Sequence, residues 1–157
     1  MVRSAAIVPV LLVLAGCAKD LIPNTEVENT PDNRAVIDFC EEYRIALEAK
    51  DFAKIVALTA DDYYEDGASP PGTDDYDRAG LQARLAGRFT RVEEVRYDIR
   101  YRRVVYFPDR VEVYYSFYGR FQVAGDAGDE SRWFSEVGDN RLVLRRTPDG
   151  YKILSGL

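Results

Sequence analysis

The chain has 157 residues, 21 of them Lys or Arg and 27 Asp or Glu, giving a net charge of −6 near neutrality. That acidic balance excludes a nucleic-acid binder, where phosphate neutralisation dominates affinity, and gives no electrostatic pull towards anionic lipid. No residue is a histidine, which excludes Ser-His-Asp and Cys-His nucleophilic machinery and every histidine-ligated zinc or iron site.

The chain opens with MVR, one positive charge, followed by the apolar run AAIVPVLLVLA at residues 5–15. As a helix this run would reach about 16 Å, against a hydrocarbon core of about 30 Å, so it is too short to span a bilayer. A charged start, a short apolar run and small residues after it are the parts of a secretory signal. The tetrad Leu14-Ala15-Gly16-Cys17 resembles the lipobox of bacterial lipoproteins. The resemblance implies cleavage before Cys17 and acylation of that cysteine, so that residues 1–16 are a signal peptide and the mature protein is anchored in a membrane. Several acyl chains, at about 0.8 kcal/mol per buried CH₂, suffice for stable anchoring. Ala18 stands where an aspartate would resemble an inner-membrane retention signal, which points to the outer membrane, facing the periplasm, in a Gram-negative host. With Cys17 acylated, Cys40 has no disulfide partner within the chain and reads as a small core residue.

Residues 17–30 read as the lipidated cysteine and a polar tether without periodicity, and residues 31–157 as one domain. Thr30-Pro31-Asp32 is a helix start, with a capping hydroxyl, proline at the first position and an acid in the first turn. Val36, Phe39, Cys40, Tyr43, Ala46 and Leu47 follow at helical spacing. Asp51 can cap a short second helix with Phe52, Ile55 and Val56 inward. The acidic stretch ADDYYEDGASPPGTDDYD (residues 60–77) holds one short strand near Tyr63, and its acids lack the order of a calcium loop. Asp75 or Asp77 can cap a third helix, carrying Leu81, Leu85 and Phe89.

The period then becomes two. Val95, Tyr97, Ile99 and Tyr101 alternate with polar residues. After a turn at Pro108-Asp109-Arg110, Val111, Val113, Tyr115, Phe117 and Phe121 do the same. Residues 132–147 read as a third long strand with a break or bulge at Gly138-Asp139, and TPDG turns the chain into a last strand. Three helices followed by long antiparallel strands is an α+β architecture, with no metal site and no cofactor indicated.

The segments AKDFAKIVALTADDYYED and RRTPDGYKI, with this element order, resemble the nuclear transport factor 2-like superfamily over roughly residues 31–157. The resemblance implies a cone in which a strongly curved antiparallel sheet wraps three helices, with small apolar ligands entering the open end. It does not imply an activity, because one fold hosts many functions. Within the superfamily the ketosteroid isomerases are the sharpest comparison, using a tyrosine on the first helix, an aspartate base on the first strand and a late-strand acid. Tyr43 matches the tyrosine, Asp66 matches the base with one residue deleted, and the late acid falls on Leu142, which cannot donate a hydrogen bond.

The outward face of two neighbouring strands would carry Arg96, Arg100, Arg102, Tyr114 and Tyr118, residue types enriched at protein interfaces. The resemblance implies a homodimer there, and an envelope protein partner fits the same surface. The expectation is a membrane-anchored lipoprotein whose domain binds a small apolar ligand or assembles with protein, without catalysis and without nucleic acid. The alternative is an isomerase or lyase using Tyr43 and Asp66.

Overall fold

The computed structural model describes residues 20–67, 74–126 and 129–157; Cys17 and the signal segment lie outside them. Helix α1 spans Pro31–Glu48 and starts as its sequence dictates, with the Thr30 hydroxyl accepting the Asn33 amide at 3.2 Å. Its buried stripe runs from Val36 through Phe39, Cys40 and Tyr43 to Leu47. Burial pushes the Cys40 thiol far above its usual range, so this cysteine stays protonated among the core side chains. Lys50 leaves the helix in the left-handed region (φ 54°) and donates to the Val92 and Glu93 carbonyls. Asp51 then caps α2, Phe52–Leu58, through Lys54 N at 2.9 Å.

A small hairpin follows, β1 (Tyr64–Glu65) against β2 (Tyr76–Asp77). The sequence showed only the first of these strands; the second is two residues long and carries no readable period. Asp77 caps α3, Arg78–Arg88, by accepting Gly80 N at 2.8 Å. The four long strands are β3 (Val92–Tyr106), β4 (Val111–Val123), β5 (Arg132–Thr147) and β6 (Gly150–Ser155), all antiparallel in the order β3-β4-β5-β6. This is the curved sheet around three helices that the α+β reading expected.

The concave face carries the core: Val95, Tyr97 and Tyr101 from β3, Val111, Val113 and Tyr115 from β4, Leu142 and Leu144 from β5, and Ile153 from β6. Two polar bonds fix α1 against β3, from Tyr97 N to Glu48 Oε1 and from Tyr101 Oη to Glu41 Oε1, both 2.8 Å. The end of α2 is tied to β6 by Ala60 N donating to the Ile153 carbonyl at 2.8 Å.

Two features differ from the sequence reading. The β4–β5 register runs unbroken through Gly138 and Asp139; the irregularities fall instead at Glu93 and Arg102 of β3 and between Val143 and Leu144 on the β6 side. Gly138 is there for space, as shown below. The second difference is the tether. Residues 20–30 fold back on the domain through a Leu21–Glu28 bridge, with Asn24 in the left-handed region (φ 63°). Val27 is 3% exposed, and Glu26 N donates to the Tyr101 carbonyl at the β3 bulge (2.9 Å). The segment therefore covers part of an edge strand, a common way of blunting an open sheet edge.

If residues 20–30 belong to the domain, Val27→Ala should cost about 2 kcal/mol in urea unfolding, the loss of two buried methyl groups. Unchanged stability would mean that the segment is a tether after all.

Candidate functional site

Between the concave sheet and the helices lies a cavity of about 370 Å³. Its walls come from Tyr43 and Leu47 of α1, Ile55 of α2, Leu81 and Leu85 of α3, and the β-sheet rings Tyr97, Phe117 and Phe121. That size is at the small end of the range for ligand pockets.

The floor is made of rings lying against the sheet. Tyr97 and Phe117 stack with centroids 5.3 Å apart and planes 17° from parallel. Phe117 pairs across strands with Gly138, and a Cβ on that glycine would come within 3.0 Å of the Phe117 ring. Gly119 does the same for Phe121, whose ring would meet a Cβ at 2.9 Å. Phe89, at the end of α3, meets Phe121 edge-on at 6.2 Å. Each glycine thus leaves room for a neighbouring ring, and the stacked and edge-on rings give the cavity an aromatic side.

Polar groups enter at two levels. Tyr43 and Tyr97 line the interior, and Asn140 sits on β5 opposite Tyr115. Burial pushes the phenols of both Tyr43 and Tyr97 well above the ordinary tyrosine range, while the Arg88 guanidinium partly opposes the rise. The fully buried Tyr115 hydroxyl makes no hydrogen bond of good geometry, with Tyr97 and the Asn140 amide as its polar neighbours. At the mouth stand Arg84 and Arg88 of α3 and Glu136 of β5, with Arg88 Nη2 and Glu136 Oε2 3.3 Å apart.

The two residues matched to catalytic roles part company here. Tyr43 lines the cavity; Asp66 is exposed and does not. The reason is the strand period of two. Tyr63 is buried and Glu65 half-buried, whereas Tyr64 and Asp66 point to the other side. Glu65 is occupied as an acceptor, from the Tyr63 hydroxyl at 3.2 Å and from Gly156 N. Leu142 is fully buried, as an apolar residue at that position should be, and the inward acid of β5 is Glu136, three inward positions nearer the mouth.

Sequence reasoning missed Glu136, Arg84, Arg88 and Asn140. A signal existed for some of them. Arg84 and Arg88 precede Leu85 and Phe89 at the same four-residue spacing, and Glu136 shares parity with Leu142 and Leu144. The 3.3 Å Arg88–Glu136 pairing joins residues 48 apart and had no local trace.

The surface proposed as an interface also divides. Arg100 and Arg102 both reach Glu26 of the N-terminal segment, and Arg102 further donates to the Ser116 hydroxyl. Tyr114 donates to the buried Glu112 carboxylate at 2.6 Å, under the Arg103 guanidinium. Glu112 is held below the usual carboxylate range by the hydroxyl of Tyr114 and the guanidinium of Arg110. Arg96 and Tyr118 remain on an open patch with Trp133 and Val137, which are 44% and 74% exposed. Arg96 lies 5.0 Å from the Trp133 ring and Arg120 5.5 Å from that of Tyr118.

Acids of the connection are engaged in structural contacts, near and far in the chain. Asp61 pairs with Arg78, Asp62 with Arg145, and Asp75 accepts the Tyr64 hydroxyl. Among the described residues no cluster of metal-binding side chains occurs.

No protein-family model matches the chain, and no curated protein matches it in sequence. Solved structures do share its architecture. A protein of the NTF2-like family from Streptomyces avermitilis superposes with a TM-score of 0.65 at 20% identity, over 80% of this chain and 93% of its own. A ketosteroid isomerase-like protein from Erwinia carotovora atroseptica gives 0.62 at 16% identity, over 82% and 95%. A nuclear transport factor 2-like superfamily protein from Salmonella enterica gives 0.64 at 9% identity, over 80% and 87%. The chain therefore has the nuclear transport factor 2-like fold.

Two measurements test this geometry. Gly138→Ala should destabilise by about 1–2 kcal/mol and alter the near-ultraviolet circular dichroism of the rings, because Phe117 must yield. A variant as stable as the parent would mean that Phe117 does not lie across that position. Ultraviolet titration should show the phenols of Tyr43, Tyr97 and Tyr115 silent as the exposed tyrosines ionise. Their folded values lie above the unfolded value of 10, so the stability they contribute is complete below pH 10 and falls as pH rises further. If all tyrosines ionise together while the fold persists, the cavity phenols are not buried.

Proposed function

We propose that this protein is an exported lipoprotein, held at a membrane through Cys17, whose cone cavity binds a small, largely apolar ligand without transforming it. The observation that carries the ligand reading is the lining of the cavity. It combines apolar walls, aromatic rings from the sheet and tyrosine hydroxyls that can donate to a ligand oxygen, the usual make-up of a small-molecule pocket. Among the described residues, the positions of the acids support binding over catalysis. Asp66 lies outside the cavity, and the one acidic side chain among the described residues that lines it, Glu136, stands exposed at the mouth beside Arg88. The cavity phenols hold their protons too tightly to abstract one near neutral pH. The isomerase or lyase reading through Tyr43 and Asp66 therefore lacks its proton acceptor. The anchor rests on the lipobox resemblance of residues 14–17, and the outer-membrane address on Ala18 after the cysteine.

A second reading concerns the outer sheet face. Tyr118, Trp133 and Val137, interleaved with Arg96 and Arg120, form a surface of the composition found at interface centres. A second copy of the chain or an envelope protein would cover it, independently of what fills the cavity.

Native mass spectrometry of the full chain, extracted gently from its host's membranes, tests both halves. The expected spectrum shows a chain beginning at Cys17 with acyl mass added and a small-molecule adduct that weakens in Leu81→Arg. An unmodified amino terminus at another residue would overturn the anchor, and a bare chain insensitive to that substitution would overturn the ligand reading. Conversion of a β,γ-unsaturated ketone by the parent, abolished in Asp66→Asn, would restore the enzyme.

A further inference from the structure

The mouth of the cavity carries charge that its apolar walls do not require. Arg84 and Arg88 stand one turn apart on α3, and β5 offers a single carboxylate, Glu136, on the opposite side. Among the lining side chains these two cations face one anion, and the carboxyl end of Leu157 reaches the same cavity beside Tyr76. Arg84 is held with its guanidinium 4.2 Å from the Tyr76 ring centroid and its Nη2 donating to the Asp74 carbonyl at 3.2 Å. Arg88 is exposed, and its pairing with Glu136 is a single contact at 3.3 Å rather than a forked pair. Exposed, singly bonded ion pairs contribute little and are readily exchanged. A guanidinium prefers a carboxylate that it can hold through two parallel N–H bonds.

Below the rim lies the stacked pair Tyr97–Phe117, with the Phe117 ring leaning over Gly138. A flat aromatic surface favours another planar ring in offset or edge contact. The arrangement is thus an apolar, ring-lined cavity with a loosely paired guanidinium at its rim. We propose that the ligand is a small planar ring compound bearing a carboxylate, its ring against Tyr97 and Phe117 and its carboxylate on Arg88, where it takes the place of Glu136. Arg84 supplies the second positive charge beside it. Glu136 is then an internal competitor for Arg88, which tunes affinity for anions and leaves neutral ligands unaffected. This inference rests on the cavity being a ligand site, and the experiment separates the two.

Calorimetric titration of the full chain with naphthoate and with naphthamide compares an anion and a neutral compound of nearly the same shape. Naphthoate should bind about tenfold more tightly, the advantage of a charge-assisted contact. Arg88→Gln should remove that preference, and Glu136→Gln should raise naphthoate affinity about threefold without changing that of naphthamide. Equal binding of the two compounds to the unsubstituted protein would overturn the carboxylate inference and leave the cavity reading standing. So would a Glu136→Gln variant that binds naphthoate more weakly than the parent. Binding of neither compound would overturn both.

Discussion

The structure depends on one steric arrangement: aromatic rings of β4 leaning over glycines of the sheet. Phe117 crosses Gly138 and Phe121 crosses Gly119, and Tyr97 stacks on Phe117 from β3. Leaning over the glycines, the rings contribute their apolar area to the core while lining the open cone. The same glycines therefore serve packing and cavity at once.

Around that floor the rest of the molecule holds the walls apart. Glu41 and Glu48 pin α1 to β3 through Tyr101 and the Tyr97 amide, which fixes where Tyr43 enters the cavity. Asp77 starts α3 so that its apolar stripe faces inward and its arginines fall at the rim. The N-terminal segment, through Val27 and Glu26, closes over the bulged part of β3, far along the sheet from the mouth. Buried phenols with tightly held protons make the interior a place of hydrogen-bond donors rather than of bases. That distinction separates a site that holds a carbonyl or a ring from one that removes a proton.

How much of this could be read from the sequence follows from how local each feature is. Thr30-Pro31, Asp51 and Asp77 announce their helices within four residues, and the alternation from Val95 to Tyr101 and from Val111 to Phe117 announces the strands. Tyr43 could be placed because a helix stripe fixes its direction. Asp66 could not, since a shift of one residue in a two-residue strand exchanges inside for outside, and Glu65 and Asp66 are chemically alike. The residues 20–30 misled because only Ile22 and Val27 anchor them, and their partner is a strand edge some 75 residues away. Gly138 looked like a bulge because its reason, the Phe117 ring, belongs to another strand. The same non-locality hid the charged rim, where α3 meets β5.

The central claim is that the open cone, rather than the outer sheet face, is where small molecules go. Methyl-resolved NMR of the protein during titration with indole tests it most directly. The account predicts saturable shifts at Leu47, Ile55, Leu81 and Leu85, with Val137 unmoved. Shifts at Val137 with the cavity methyl groups silent would contradict it.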